Sequence, residues 1–577
     1  MKIKRRATPE ISTDLALLSP IFQRIYASRG IQKKAELDKQ LKGLLPFDSM
    51  LGMDKAVARL EQALRDQERI LIVGDFDADG ATSSALAVSA LRAMGATEVS
   101  FLVPNRFAFG YGLTPGLVGV AVEHKPKLII TVDNGIASFD GVLAARDAGI
   151  DVLVTDHHLA AETLPEAVAI VNPNQPGDNF PSKSIAGVGV IFYVMLALRQ
   201  RLRTTGWFEE RGISEPNMAQ FLDLVALGTV ADVVGLDQNN RIMVEQGLKR
   251  IRSGACRPGI RALVNVAKRD ISYLRERDLG FSVAPRLNAA GRLDDMSRGI
   301  ACLLAETDEQ AQVLAQQLDE LNVERRKIEG AMQMQALAAL DKLSDLEQGC
   351  EGALPVALCL MDEAWHQGVI GILAGRLKER YHRPVITFAR VNAEEMKGSA
   401  RSIPQVNIRD VLASIDSKNP GLMMKFGGHA MAAGLSLSPS NFELFRACFT
   451  HEMEKQLADV ALEGSVWSDG SLDKNAFDLS FAKALQEGGP WGQLFPEPVF
   501  DDVFEILDQR LVGQHHLKLQ LMHEDGGEAL DAIAFNIDLA TWPNKRVRRV
   551  HVAYKIDINV FRNRERLQLL ISSLSAL

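Results

Sequence analysis

The sequence predicts a multidomain α/β protein: a parallel-sheet α/β domain, a long connecting helix, a second α/β domain and a C-terminal β-barrel of the OB type. Three observations carry this. Between about residues 56 and 235, short apolar runs alternate with helical patterns, as in a parallel sheet covered on both faces. A helical stripe of Leu314, Leu318, Leu321, Ile328 and Met332 follows a capping-box signal at Thr307–Gln310. From about residue 460, short strand patterns separated by turn signals take over, as in a small barrel.

At 577 residues the chain exceeds one core, and roughly three or four domains are expected. Residues 1–55 read as an N-terminal extension, and 56–300 as a catalytic domain with a basic helical segment. Residues 301–350 read as a connector helix, 351–456 as the second α/β domain and 457–577 as a nucleic-acid-binding barrel. KAVARLEQALRD (55–66) is the first amphipathic helix. ILIV (70–73), LIITV (128–132), VLVT (152–155) and LVALGTV (224–230) read as buried strands. A connector running to Gly349 would be about 60 Å long at about 1.5 Å per residue. PVALCLM (355–361) reads as a strand and HQGVIGILAGRLKERY (366–381) as a turn and helix. FEILDQRLV, HLKLQLM, DAIAFNI and RVHVAYKIDINVF supply the barrel strands.

Each of the first four apolar runs is followed by acids or histidines. Asp75, Asp77 and Asp79 alternate in GDFDADG, Asp133 lies in TVDNG, Asp156-His157-His158 closes VTDHH and Asp232 ends GTVAD. The carboxyl ends of strands in an open α/β sheet are where ligands bind. Carboxylates gathered at one edge are costly without a counter-charge, which implies a bound cation. Two metals bridged by a carboxylate suit phosphodiester hydrolysis. Aspartates with one or two histidines favour Mn²⁺ or Mg²⁺ over structural zinc. Asp75 or Asp156 taken singly could merely cap a helix or turn. Four such clusters in series point to a metal-dependent enzyme acting on phosphate esters.

Composition agrees with an ordinary globular protein, 47% apolar and 24% charged. Five cysteines without a C-x-x-C pair favour a reduced, cytoplasmic protein. The basic start MKIKRRATPEIS lacks the apolar run of a signal peptide, and no stretch approaches the ~18–20 apolar residues of a membrane span. The net charge of −8 hides basic stretches: 247–292 carry a local +8 and 545–566 a local +6. Such stretches can hold a polyanion, or form solvated faces. Phe535, Trp542, Tyr554 and Phe561 interleave the second, as stacking platforms or as core.

DFDADG, VDNG, the DHH triplet and GTVADVV, in this order, resemble the DHH phosphoesterase superfamily, and GGHAMAAG (427–434) resembles its DHHA1 partner domain. With VPNRF (103–107), PRLNAAGR (285–292), WHQGVIGI (365–372) and the barrel, the chain resembles the RecJ family of single-strand-specific DNA exonucleases after about residue 20. The resemblance implies processive 5′→3′ hydrolysis to 5′-mononucleotides in recombination and repair. It makes Asp133 the bridging ligand, Asp77 a ligand of one metal, and Asp79, His157 and Asp232 ligands of the other. His158 would stabilise the scissile phosphate, with Asp75 and Asp156 orienting ligands. Many members have histidine where this chain has Val73, which implies a weak first metal site filled together with DNA.

Arg106, Ser399 and Arg401 are candidates to grip a terminal phosphate, since arginine forks match phosphate and a fixed grip sets polarity. Ala400 stands where the family commonly has glycine, in what reads as a loop. His429 could donate to phosphate, and Arg286, Asn288 and Arg292 would line the strand's path. The resemblance further implies a monomer working with single-strand-binding protein and a RecQ-type helicase, away from membranes. Two other functions compete: a DHH phosphodiesterase of short oligonucleotides or cyclic dinucleotides, against which the basic barrel argues, and a non-catalytic DNA-binding replisome scaffold, against which the intact aspartates argue.

Overall fold

The computed structural model describes residues 2–105, 109–346, 355–458, 460, 462–513, 515–539, 541–561 and 564–577. The chain divides into two compact units, one of Ile3–Leu321 with Val466–Leu577, the other chiefly Asn322–Ser465.

The first unit is built on a parallel five-stranded sheet: β1 (Ile70–Val73), β2 (Val99–Leu102), β3 (Leu128–Val132), β4 (Asp151–Thr155) and β5 (Ala169–Val171). The strands lie in the order β2-β1-β3-β4-β5. Side chains alternate faces along a strand, and both faces here are apolar. Ile70, Ile72, Leu128, Ile130 and Leu153 enter the main core, whereas Leu71, Val73, Ile129, Val152 and Val154 pack with Leu113, Leu117 and Val142 on the other face. After β2 the chain crosses to the far side of β1, so the order reverses between β1 and β3. DFDADG and VDNG leave from those two strands, at the switch point where such sheets bind ligands.

LVALGTV is not a strand. Residues Leu222–Ala231 form a helix with Asp232 at its C-cap. Every residue from Leu222 to Thr229 is buried, and a short helix buried all round has the same apolar run as a central strand. Asp232 therefore reaches the site from a helix end.

The barrel belongs to this same unit. Strands β11 (Phe500–Val512), β12 (His516–His523), β13 (Leu530–Ala534), β14 (Arg549–Phe561) and β15 (Arg564–Ala576) close in the order β11-β12-β13-β15-β14. β15 escapes the sequence pattern because RERLQLLISSLSA mixes charged and small polar residues, yet it closes the barrel by pairing with both β13 and β14. Phe500, Phe504, Leu519 and Tyr554 share one continuous core with Leu15, Ile25 and Tyr26 of the N-terminal segment and with the sheet. Tyr554 is thus core, Trp542 packs partly buried against it, and Phe535 is exposed.

The second unit has the mixed sheet β9-β10-β8-β7-β6, with β6 (Leu358–Asp362), β7 (Val385–Arg390), β8 (Met396–Arg401), β9 (Lys425–Gly428) and β10 (Ala432–Leu437). Its core gathers Phe388, Ala400, Leu412, Leu435, Phe445 and Phe449. The capping helix Asp308–Leu346 begins in the first unit and ends in the second, with Thr307 Oγ1 accepting from Gln310 N. Gly349 lies outside the described residues.

Arg29 and Asp469, each with 1% of its side chain exposed, form an ion pair of 2.9 Å between the N-terminal segment and the barrel region. Removing one partner of a buried pair costs about 3–5 kcal/mol. Arg29→Met should lower the denaturation midpoint accordingly; an unchanged midpoint would show that the N-terminal segment does not help hold the fold.

Candidate metal centre

The acidic loop after β1 turns directly into the helix Ala78–Ala93. Asp77 caps it, accepting from Asp79 N at 2.9 Å and Gly80 N at 3.0 Å. Asp79 lies buried in the first turn, and its carboxylate meets another helix start. Oδ2 accepts from Gly187 N at 2.7 Å and Oδ1 from Val188 N at 3.0 Å, in the helix Gly187–Thr204. Gly187 is required here, since a β-carbon would stand 2.6 Å from Asp133 Cβ. Asp133 follows β3 with φ +61°, a left-handed conformation that costs a non-glycine residue energy and that turns the chain at the strand end.

These turns bring the acids together. Asp75, Asp77 and Asp133 each offer a carboxylate oxygen within 4.8 Å of the others; Asp79, His157 and Asp232, and likewise Asp133, His157 and His158, bring carboxylate oxygens and imidazole nitrogens within the same distance. His157 Nε2 lies 3.1 Å from Asp133 Oδ1 and 3.5 Å from Asp232 Oδ2. Asp133 Oδ1 is buried and accepts no hydrogen bond among the described residues. Burial and the charge of Asp77 push Asp79 up to about 7, against the N–H groups of Val188 and Gly187. Burial, then Asp79 and Asp77, hold Asp133 and Asp232 well above the carboxylate range. Hard oxygen donors with one imidazole, crowded and mutually repelling, fit divalent Mn²⁺ or Mg²⁺.

Asp75, an orienting residue by the resemblance, has its carboxylate grouped with those of Asp77 and Asp133, where it could itself hold a cation. Val73 turns its side chain into the apolar layer beside Leu71, away from this role.

Asp156 has the opposite character. Oδ1 accepts from His157 N (2.7 Å), His158 N (3.1 Å) and His158 Nδ1 (2.7 Å), and Oδ2 from Ile136 N (2.9 Å). Burial works to raise its pKa, but the His158 bond and charge overcome it and leave it lowered. Burial likewise pulls His158 down, but the bond to Asp156, with Asp232 and Asp75 nearby, lifts it to about 9. Without a metal bound, His158 is held on the cationic side at neutral pH.

Several supporting groups have no strong local signal in the sequence. Tyr111 donates to Asp133 O at 3.2 Å and stands 3.3 Å from His158 Nε2. Asn172 and Asn174 hold the carbonyls of His158 and His157. Only the glycine-flanked tyrosine in FGYGL and the asparagines in VNPN hint at these roles. Arg106 lies outside the described residues.

Much of the basic segment 247–292 is engaged in ion pairs with the protein's own carboxylates. Arg257 pairs with Asp223, Arg261 with Asp308, Arg269 with Asp278, and Arg275 and Arg277 with Asp557. Arg286, expected along the strand's path, is buried, paired with Asp319 at 2.7 Å and bonded to Ser282 O and Val266 O. It ties the helix Ala284–Leu293 to the long helix. Asn288 accepts from Ala78 N at 2.8 Å and so steadies the acidic loop, while Arg292 is half-buried on the same helix.

In the second unit, KGSAR is strand β8 rather than a loop. Ala400 points into the core, so its methyl does not obstruct the face that Ser399 and Arg401 share. Arg401 Nη1 donates to Ser399 Oγ at 3.2 Å and Ala400 O at 2.8 Å; burial lowers its pKa, and among the described residues no carboxylate pairs with it. A β-carbon on Gly371 would lie 2.9 Å from both Arg401 Nη2 and Ser399 Oγ, so glycine permits this approach at the start of the helix Ile370–Tyr381. His429 is exposed at the β9–β10 hairpin tip.

Fold and site define a DHH-type protein: residues 69–229 match the DHH family N-terminal domain, 353–455 the DHHA1 domain and 468–573 the RecJ OB domain. Single-stranded-DNA-specific exonuclease RecJ of Escherichia coli (strain K12) is 53% identical over 574 residues, covering 100% of this chain and 99% of that protein. The protein of the same name from Dickeya dadantii (strain 3937) is 54% identical, covering 99% of both. The crystal structure of RecJ in complex with Mn²⁺ from Thermus thermophilus matches with TM-score 0.79 at 29% identity, over 100% of this chain and 79% of that one. The chain belongs to the RecJ family. Among the described residues no helix is long and apolar enough to cross a membrane.

The raised carboxyls make a signed prediction for chelated protein. Between the ordinary value of 3.8 and about 7, the folded chain holds a proton on Asp79 that the unfolded chain has released. Stability from this group is complete below the unfolded value and is lost as pH rises through the folded one. Asp79→Asn should therefore gain melting temperature over the parent as pH goes from about 5 to about 8. Mn²⁺ should stabilise the parent more than the variant, which keeps the Asp75, Asp77 and Asp133 group. A pH-independent difference would contradict the charge crowding.

Proposed function

We propose that this protein is a metal-dependent exonuclease specific for single-stranded DNA, degrading it 5′→3′ to 5′-mononucleotides in recombination and repair. The observation that carries this is the buried, mutually repelling carboxylate and imidazole cluster at the sheet's switch point, in a chain of the RecJ family. Asp75, Asp77 and Asp133 would hold one divalent ion, and Asp79, His157, Asp232 and Asp133 a second. Bound there, Mn²⁺ or Mg²⁺ would supply an acidified water and offset charge on the phosphoryl oxygens.

The remaining work falls to the chain. Asp156 fixes the ring of His158 and keeps it protonated, so that a positive charge faces the scissile phosphate. Asn172 and Asn174 fix the backbone behind the two histidines. Ser399 and Arg401 would grip the 5′-terminal phosphate, Arg401 being a guanidinium whose fork has no carboxylate to answer it among the described residues. His429 and Arg292 would assist along the strand. We propose a monomer that works in the cytoplasm with single-strand-binding protein and a RecQ-type helicase.

Asp133→Ala should abolish hydrolysis, by about 10³-fold or more, while oligonucleotide binding persists. With the parent, a 5′ label on single-stranded DNA should appear at once as mononucleotide and a 3′ label should shorten progressively. Endonucleolytic products, or equal attack on blunt duplex, would overturn the proposal. With Val73 in place of an imidazole ligand, calorimetry on DNA-free protein should show one tight and one weak Mn²⁺ site; two equally tight sites would contradict it.

A further inference from the structure

Beside Asp232 the surface carries three large apolar side chains that folding does not explain. Val233 follows the ligand directly, is 64% exposed and has φ +60°. Leu494 is 71% exposed with φ +61°, and its Cδ1 lies 2.7 Å from where a β-carbon on Gly235 would project. Phe281 is 86% exposed, on the π-turn Leu279–Val283.

Left-handed backbone favours Gly, Asn or Asp and is an outlier for a β-branched residue. Valine and leucine tolerate it in folded proteins when burial compensates, but these side chains are out of the core. Neither packing nor backbone preference accounts for them, and strain held in place by surrounding structure marks functional sites. The surroundings do hold it. Leu236 N donates to Gln493 O at 2.8 Å, and Gly492 N to Phe495 O at 2.9 Å, pinning the Leu494 turn onto the segment after Asp232. The π-turn packs on the helix that ends at Asp232, with Val230 Cγ1 3.3 Å from the β-carbon position of Gly280. It also leads into the helix whose Asn288 steadies the acidic loop.

We infer that Val233, Leu494 and Phe281 form an apolar ledge that takes the bases of the DNA strand held at the metal centre. This rests on the exonuclease reading and deepens it. A base that has left its stack presents an apolar face, whereas the bases of a duplex keep theirs covered. The ledge therefore rewards single strands and is indifferent to base identity, because every base has such a face.

The test compares two substrates: a base-bearing oligonucleotide, and a strand of equal length whose 5′-proximal nucleotides are abasic. Val233→Asn and Leu494→Asn are expected to melt at the parent's temperature or above, since asparagine suits the left-handed backbone, and Phe281→Ala to melt near it, since the ring is 86% exposed. Each should raise KM about tenfold on the base-bearing strand, as loss of stacking does, with little change on the abasic one. Unchanged KM on the base-bearing strand, or equal losses on both strands, would overturn the ledge. A parent inert towards every strand would remove the exonuclease reading itself, and the ledge with it.

Discussion

The mutual repulsion of carboxylates at the end of β1 and β3 is the constraint around which the rest of the catalytic unit is arranged. Asp79, Asp133 and Asp232 are held where burial and one another's charge raise their pKa values. Such an arrangement is unstable unless the backbone leaves it no alternative and a cation answers it. The backbone does the first. A helix start grips both oxygens of Asp79, a left-handed turn commits Asp133, and a helix C-cap presents Asp232. Gly187 lets the gripping helix come within contact of Asp133. A divalent ion bound there would do the second.

Asp156 shows that burial alone does not decide the outcome. It is as deeply placed as Asp79, yet its value falls, because three backbone N–H groups and the His158 imidazole face it. Neighbouring carboxyls pushed in opposite directions separate two jobs: those left repelling one another suit a metal, and the one already satisfied serves as a fixed strut. The strut's effect is transmitted to His158, whose pKa the bond to Asp156 raises.

How much of this is legible in the sequence depends on whether the signal is local. Strands β1, β3 and β4 announce themselves as β-branched runs, and the acids follow them at fixed offsets. The run before Asp232 misleads because a wholly buried helix and a central strand are equally apolar; only length and partners separate them. β15 escapes because a barrel strand bordered by polar residues lacks the alternation of its neighbours. The cations of 247–292 read as a surface for DNA, but the acids that neutralise many of them come from distant positions such as Asp319 and Asp557. Tyr111 stays invisible for the same reason: its partners, Asp133 and His158, are 22 and 47 residues away.

Those distant pairings also change what the barrel is. Arg275 and Arg277 meet Asp557, Arg29 meets Asp469, and Phe500 and Phe504 lie in the core that holds the catalytic sheet. A barrel on a flexible tether would raise the local concentration of strand near the metal centre and do no more. One that shares a core with the catalytic sheet has its surface fixed relative to the metal-binding residues. The arginines drawn into these ion pairs hold the barrel in place beside the site.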